Sequence, residues 1–341
     1  MVAYPSAGET REAGPVRGSG PVASSTVSAT SDPVLIIHPE VAEALADGRA
    51  VVALESTISS TLGLPVPHNA DVLKRCSAAI RAGGAVPALT AVIDGIARVG
   101  VDDDDVARVL TGTRKCAERD LPVAIAQRWE VGVTTVSASV ALAALAGVAV
   151  FATGGIGGVH RDDHLTGDVS ADLGALARHR VVTVTAGAKA FLDLAKTLEM
   201  FDTLSVPVLG YGTGEFPAFY SRTSGLAVPH RVDEPEEVAA IYRARLALGL
   251  PGGVVVANPI PAADEITAAE IEPVIEAALR DAAVAGIRGG GLTPFVLGRI
   301  GDATAGRSVP ANLALAENNA RVAALIAVAI SAVAISAAAR P

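Results

Sequence analysis

The fold class follows from residues 148–198, which read VAVFATGGIGGVHRDDHLTGDVSADLGALARHRVVTVTAGAKAFLDLAKTL. Two short apolar runs in this stretch, 148–152 and 181–185, have the length and composition of buried strands. A glycine-rich loop and a short helix after Ser170 are predicted between them, and a second helix is predicted from Lys189 to about Leu198. Buried strands joined by crossovers of this kind are typical of a parallel sheet.

The same alternation of strands and helices continues on both sides of this stretch. It predicts a single α/β domain, residues 34–341, built on a mostly parallel sheet with helices on both faces. Further strands are predicted at 50–54, 206–210 and 253–257, with a hairpin at 89–99 that turns at Asp94-Gly95. Further helices are predicted at 39–46, 69–82 (with Asn69 as N-cap), 134–146, 234–248, 268–285 and from 311 to the end.

Composition excludes several classes of function. The formal net charge of −9 argues against binding to nucleic acid or to an anionic membrane, because both require clustered Lys and Arg. Two cysteines, Cys76 and Cys116, give neither a disulfide framework nor a zinc pattern, so a reducing, cytoplasmic location is expected. Residues 1–33 are rich in Gly, Ser, Thr and Pro and are predicted to be a disordered leader.

The end of the chain contains an uncharged run, residues 322–339, that is long enough to cross a membrane. Alanine dominates this run, so its hydrophobicity is shallow. A helix buried in the core or at a subunit interface is therefore favoured over a membrane anchor.

Two segments contain groups suited to acid catalysis and to anion binding. Glu55 directly follows a buried strand, where ligands bind in open α/β sheets, and partial burial there would favour proton donation. A carboxylate that caps the next turn with Ser56 and Thr57 is an equally good interpretation. The glycines of 154–158 would let backbone N–H groups approach a sugar phosphate, with His160 as a further donor, although a tight turn explains them as well.

A nucleophile is suggested by the scarcity of lysine. Only four of the 27 basic residues are Lys, and the chain otherwise uses Arg, which cannot form an imine. Lys189 is predicted to lie at a helix N-terminus, where the helix dipole disfavours the protonated amine. In the nearby segment Asp168 to Asp172, Ser170 is predicted to cap a helix and Asp172 suits its first turn. Neither role explains Asp168, which is a candidate ligand for Mg²⁺ or Mn²⁺.

Taken together, these segments resemble the pseudouridine-5′-phosphate glycosidase family, also called the indigoidine synthase A-like family. The resemblance runs from about Val34 to Ala323. Its strings, in order along the chain, are 53–57 (ALEST), 84–88 (GAVPA), 119–122 (RDLP), 151–160 (FATGGIGGVH), 168–172 (DVSAD), 186–189 (AGAK), 255–261 (VVANPIP), 293–295 (TPF) and 318–320 (NNA).

The resemblance implies a three-layer α/β/α fold, a homotrimer and one Mn²⁺ in each subunit, with Mg²⁺ as an alternative. It implies reversible cleavage of pseudouridine 5′-phosphate to uracil and ribose 5-phosphate. Glu55 would be the proton donor, Lys189 would form an imine with the ring-opened ribose, and Asp168 would bind the metal. Substrate contacts are implied for Lys115, Val136, Thr153, His160, Ser170, Ala171, Asp172 and Asn312.

The chain departs from the family pattern at three places. Where the family commonly has Thr-His-Gly, this chain has Thr61-Leu62-Gly63. The basic residue that usually precedes Arg-Asp-Leu-Pro is replaced by Glu118. The Gly-Lys pair that usually precedes Thr-Pro-Phe is replaced by residues 289–292 (GGGL), which include Gly290. These departures affect the expected recognition of the base. They leave two alternatives: an enzyme that joins ribose 5-phosphate to another aromatic acceptor, and a non-catalytic sugar-phosphate sensor. The second is disfavoured because a sensor needs no imine-forming lysine.

Overall fold

The protein is described here by a computed structural model that covers residues 33–338, which belong to one compact unit. Apart from Pro33, the predicted leader lies outside the described residues. The strands in this part of the chain are β1 Leu35–Ile37, β2 Val51–Leu54, β3 Val86–Ile93, β4 Ile96–Val99, β5 Lys115–Cys116, β6 Val131–Thr134, β7 Val150–Ala152, β8 Val159–His160, β9 Val182–Thr185, β10 Leu192–Asp193, β11 Val208–Tyr211, β12 His230–Val232 and β13 Val254–Ala257.

Helices connect most of these strands. The α-helices of residues 33–338 are α1 Pro39–Ala46, α2 His68–Ala82, α3 Asp103–Leu110, α4 Leu121–Ala126, α5 Val136–Ala146, α6 Asp163–Thr166, α7 Ala171–Arg178, α8 Leu194–Thr203, α9 Pro235–Ala247, α10 Ala268–Val284, α11 Leu292–Ala303 and α12 Ser308–Ala338. Short 3₁₀ turns precede α4 and α11, at Glu118–Asp120 and Gly289–Gly291.

The central sheet is mixed and mostly parallel, in the order β1-β4-β3-β2-β7-β9-β13-β11-β12. Strands β2, β7, β9 and β13 are parallel neighbours and are buried throughout. Within this sheet, antiparallel pairing is confined to β3, which bonds to β4 and, through its last residues, to β6. Strands β8 and β10 form a separate antiparallel pair. The predicted α/β class, with helices on both faces of a mostly parallel sheet, is confirmed.

The long C-terminal helix α12 lies within the core. It packs on α2 and α9 and crosses strands β2, β7 and β9. Its stretch Ser308–Ala332 is the one helix of residues 33–338 that is long and apolar enough to span a membrane, yet 61% of the most apolar window is buried in the protein. This burial agrees with the prediction of a core helix.

Four helix starts differ from the prediction by two residues or more, among them that of α12, which begins at Ser308 rather than at 311. The cap position of α2 is Pro67, whereas Asn69 is buried and donates from Nδ2 to the carbonyl of Leu110 over 3.1 Å. Thr134 belongs to strand β6 because it pairs with Cys116 of β5, so α5 begins only at Val136. Lys189 lies in a loop, and α8 begins five residues later at Leu194. The Asp94-Gly95 hairpin is confirmed, with both residues at positive φ.

Candidate active site

A cavity of about 560 Å³ opens at the carboxyl ends of the central strands. In open α/β sheets this edge is where ligands bind, because strand ends and the following loops leave a crevice there. The loops after β2, β5, β6 and β9 all contribute to its wall. The predicted site residues on this wall are Glu55, Lys115, His160, Asp168, Ser170, Ala171, Asp172 and Lys189.

Glu55 follows the last residue of β2 and is only 7% exposed. Thr153, the residue after β7, donates a hydrogen bond from its hydroxyl to Glu55 Oε1. Burial raises the pKa of Glu55 above its ordinary value of 4.5, and the positive charge of Lys189 and the Thr153 hydrogen bond only partly oppose this. The side chain is therefore suited to hold a proton and donate it.

Lys189 is half-buried in a loop that two backbone contacts fix. Its N–H donates to the carbonyl of Ile156 over 3.0 Å, and its own carbonyl accepts from Leu192 over 2.9 Å. Strand β10 then pairs with β8, which carries His160. The helix-dipole argument for a neutral amine was wrong, because no helix begins at this lysine. The loop instead presents the amine to the cavity from between the ends of β7 and β9.

Gly187 allows this loop to turn. Its φ is +92°, and a Cβ at this position would clash with the carbonyl oxygen of Pro217. Any other residue would meet both the torsional and the steric penalty. The chain therefore turns sharply two residues before the lysine.

Lys115 lies across the same cavity at the start of β5. The surrounding protein desolvates its ammonium, and this effect, together with the charge of Lys189, lowers the pKa of Lys115 from its ordinary value of 10.5. Asp172 and Glu55 act in the opposite direction. Two lysines and two carboxylates thus lie close together around the cavity.

Asp172 is 5% exposed and its carboxylate is held by two backbone donors. Ser137 N–H donates to Oδ1 over 2.9 Å, and Gly157 N–H donates to Oδ2 over 2.8 Å. Gly157 is required for this approach, because a Cβ there would collide with Ser170 and contact Asp172. Ser170 caps α7 as predicted, since its Oγ accepts from the N–H of Asp172 over 3.2 Å.

Asp168 lies on the cavity wall with its side chain 34% exposed, and His160 Nε2 is 3.8 Å from its Oδ2. Among residues 33–338, no group of three or more His, Cys, Asp or Glu side chains is placed to share a metal ion. The donor set still fits a hard divalent cation that keeps water ligands, because one carboxylate with substrate oxygens and water is sufficient for Mg²⁺ or Mn²⁺.

Three of the residues implied by the resemblance lie apart from this wall. Thr153 lies behind it and bonds to Glu55. Val136 is 1% exposed and belongs to the core, so the cavity is lined by its neighbours Thr135 and Ser137 instead. Asn312 is 5% exposed and lines a neighbouring cavity of about 590 Å³, which shares Leu62 and Pro294 with the first. Its Oδ1 is buried without a hydrogen-bond partner.

Several cavity residues were not proposed from the sequence. The polar members of this set are Thr57, Thr113, Arg119, Asp120, Thr135, Ser137 and Thr293. A signal existed for Arg119 and Asp120, because both belong to a string shared with the family. Thr135 and Ser137 flank Val136, so the sequence indicated the segment but not the side chains that face the cavity.

The departures from the family pattern lie in different surroundings. Leu62 contributes an apolar wall to both cavities, and Gly289 and Gly291 line the larger one. Glu118 is absent from the wall although Ala117 and Arg119 are on it. Glu118 binds Arg178 and lies 2.7 Å from His179 Nε2, at the far end of α7.

Comparison with known proteins gives relatives from one family. Residues 40–329 match the family described as indigoidine synthase A like protein. A pseudouridine-5′-phosphate glycosidase of Nocardioides sp. (strain ATCC BAA-499 / JS614) is 52% identical over 86% of this chain and 96% of the relative. The glycosidase of Solibacter usitatus is 50% identical over 86% and 98%, respectively.

Two solved structures are similar as well. The prealnumycin C-glycosynthase AlnA, solved in complex with ribulose 5-phosphate, superposes with a TM-score of 0.82 at 34% identity, over 90% of this chain and 100% of AlnA. An indigoidine synthase A-like protein of Thermotoga maritima gives a TM-score of 0.79 at 34% identity, over 88% and 97%. With a family match across most of its length, the chain belongs to the indigoidine synthase A-like family.

Proposed function

We propose that this protein is a pseudouridine-5′-phosphate glycosidase, a lyase that reversibly cleaves the C–C glycosidic bond of pseudouridine 5′-phosphate to give uracil and ribose 5-phosphate. The names of relatives at about 50% identity support this assignment. The observation that carries it is the presence of Glu55, Asp172, Lys115 and Lys189 around one cavity. That combination supplies an acid, a base, a cation and an amine.

A C–C glycoside requires chemistry that differs from ordinary glycoside hydrolysis. A carbon leaving group has no lone pair to protonate, so two carboxylates alone are poorly suited. In the cleavage direction, Lys189 Nζ bonds to C1′ while the bond from C1′ to the ring oxygen breaks. Glu55 donates the proton that this oxygen takes up. Burial raises the pKa of Glu55 and favours the proton there, whereas the Thr153 hydrogen bond acts in the opposite direction and holds the carboxyl in place.

Release of uracil is the second step. The secondary ammonium formed in the first step gives a proton to the Asp172 carboxylate. The nitrogen lone pair then forms the C1′=N bond as the bond from C1′ to C5 of uracil breaks, and Asp172 passes its new proton to C5. Water then hydrolyses the iminium, which frees ribose 5-phosphate and restores the amine of Lys189. In the synthetic direction Asp172 is the base, and its two backbone N–H donors stabilise the carboxylate form it needs.

Asp168 is proposed to hold Mn²⁺, or Mg²⁺, together with water and substrate oxygens. When bound, the ion supplies positive charge that polarises those oxygens. His160, beside Asp168 and packed near Phe191, is proposed to contact the sugar phosphate. Thr153, Val136, Ser170, Ala171 and Asn312 are proposed, from the family resemblance, as the remaining substrate contacts.

The assignment is tested by incubating the full-length protein with uracil and ribose 5-phosphate, with and without added Mn²⁺. We expect pseudouridine 5′-phosphate, identified by chromatography and mass spectrometry, in larger amount with Mn²⁺. Failure to form this product from uracil under either condition would contradict the proposed acceptor.

A second candidate is an enzyme that joins ribose 5-phosphate to a different aromatic acceptor. The observation that favours it is the apolar Leu62 on the cavity wall, together with the structural similarity to the C-glycosynthase AlnA. Consumption of ribose 5-phosphate with an aromatic ring other than uracil would support this candidate. Tight binding of unchanged ribose 5-phosphate, with no product from any acceptor, would favour a sensor.

The proposed enzyme acts in the cytoplasm on small molecules, without a nucleic-acid or membrane partner, as a homotrimer. The proposed location follows from the cysteine usage of the sequence, which has two thiols in 341 residues.

A further inference from the structure

A cluster of four buried hydroxyls lies behind the cavity. Ser56, Thr90, Thr134 and Ser139 are each 0% exposed. Unpaired buried hydroxyls are costly, so a cluster of this kind is stable only when its members bond to one another. We call these four residues the hydroxyl cluster.

Thr134 is the centre of the hydroxyl cluster. Its Oγ1 donates to the carbonyl of Thr90 over 2.8 Å and lies 2.8 Å from Thr90 Oγ1. Its Oγ1 is also 3.0 Å from Ser56 Oγ, and its backbone N–H donates to Ser56 Oγ over 2.7 Å. Thr90 Oγ1 in turn donates to Ser139 Oγ over 2.8 Å. Three segments of the chain therefore meet at one side chain.

The hydroxyl cluster joins two strands that the sheet does not join. Strand β2 pairs with β3 and β7, whereas β6 pairs with β3 and β5. The ends of β2 and β6 therefore share no ladder in the described sheet. Ser56 belongs to the loop after β2 and Thr134 is the last residue of β6, so their hydrogen bonds connect these ends directly. Thr57 adds a hydroxyl bond of 2.7 Å to the carbonyl of Thr134.

The two connected ends lie beside Glu55 and Asp172. Glu55 precedes Ser56 by one residue. On the other side, Thr134 leads within three residues to Ser137, whose N–H holds Asp172 Oδ1. Thr134 therefore connects the loop that contains Glu55 to the segment that holds Asp172.

We propose that Thr134 is a positioning residue that sets the separation between Glu55 and Asp172. The expected change in turnover rests on the proposed function. The expected change in the separation of the two carboxylates rests on the hydrogen bonds alone. Displacement of a catalytic group by about 1 Å can lower a rate by roughly 10²-fold. Loss of the Thr134 hydroxyl is therefore expected to affect turnover more than substrate binding.

The test compares Thr134→Val, which keeps the shape but removes the hydroxyl, with Thr134→Ser, which keeps the hydroxyl. Thr183→Val is the matched control, because Thr183 is also 0% exposed in a strand of the sheet and its Oγ1 has no hydrogen-bond partner. We expect kcat to fall roughly ten- to a hundred-fold in Thr134→Val with a smaller change in KM, and to stay within a few-fold of wild type in Thr134→Ser and Thr183→Val.

Two results would overturn the inference. One is a Thr134→Val enzyme with a lowered melting temperature but with the kcat and pH profile of wild type, which would indicate a structural role only. The other is a crystal structure of Thr134→Val in which Glu55 and Asp172 keep their wild-type separation. The structural comparison needs no turnover, so it remains decisive even if the wild-type protein does not make pseudouridine 5′-phosphate.

Discussion

At the scale of single residues, the site depends on a buried carboxyl whose pKa is raised. The pKa of Glu55 is raised by burial, so the folded state binds this proton more tightly than the unfolded state does. The resulting stability is fully present below the ordinary pKa of 4.5 and is lost as pH rises through the pKa of the folded protein. At higher pH the native state must keep a charged carboxylate buried.

Glu55→Gln tests this reasoning without an activity assay. The amide is neutral at all pH values, so we expect the variant to gain melting temperature relative to wild type as pH rises above 4.5. Turnover should be lost at every pH, because the amide has no proton to donate. A difference in melting temperature between variant and wild type that stays constant from acid to alkaline pH would argue against a raised pKa of Glu55.

Asp168→Asn tests the metal site. We expect the variant to bind Mn²⁺ at least about ten-fold more weakly, because the amide offers no charge to a hard cation. Asp163→Asn is a suitable control, since Asp163 is on the same segment but is paired with Lys196. Binding is measured by titration of the Mn²⁺ electron paramagnetic resonance signal. Equal affinities in wild type and Asp168→Asn would remove Asp168 from the metal site.

At the scale of elements, the position of helix α7 depends on contacts at both of its ends. Its N-terminus carries Asp172, and at its C-terminus Glu118 contacts Arg178 and His179. The Arg178 side chain is 59% exposed, so that pair contributes little, whereas Glu118 and His179 are each 23% exposed. The hydrogen bond to His179 is the stronger contact of the two.

Glu118→Ala is therefore expected to lower the free energy of unfolding by about 1 kcal/mol. Arg178→Ala, which keeps the His179 contact, should cost less. Urea denaturation of both variants measures the difference. An Arg178→Ala variant that is the less stable of the two would contradict this assignment of the contact.

Most strands and helices were predicted from the sequence at the right place, but several helix starts were not. Glu55 was identified because an apolar strand followed by a carboxylate places that carboxylate at the ligand-binding edge, and this is a local pattern. The loop around Lys189 was mistaken for a helix because its conformation depends on the turn at Gly187 and on pairing between β8 and β10. The contacts of Glu118 with α7, like those of Thr134 with Thr90 and Ser56, join distant parts of the chain and leave no periodic signal.

At the scale of the whole molecule, the apolar residues of α12 are mostly buried, whereas some leucines elsewhere are exposed. Most of the apolar window of α12 is inside the core, whereas Leu145, Leu165 and Leu248 are each more than two-thirds exposed. Single exposed leucines of this kind are normal on a protein surface and do not by themselves mark a subunit interface.

A homotrimer is expected from the family resemblance. Light scattering coupled to size exclusion should give about three times the chain mass of 34.2 kDa, independent of dilution in the micromolar range. A mass of one chain across that range would contradict the trimer and leave the single-chain cavity as the complete site.

The central claim is that the amine of Lys189 forms an imine with the opened sugar. Sodium borohydride added to the native protein with ribose 5-phosphate should reduce this imine to a stable adduct, and peptide mass spectrometry should place one reduced pentose phosphate on Lys189. Lys189→Arg, which retains the charge but cannot form the imine, should show no adduct and a loss of turnover of at least about 10³-fold. An unmodified Lys189, or an adduct on Lys115 instead, would contradict the account.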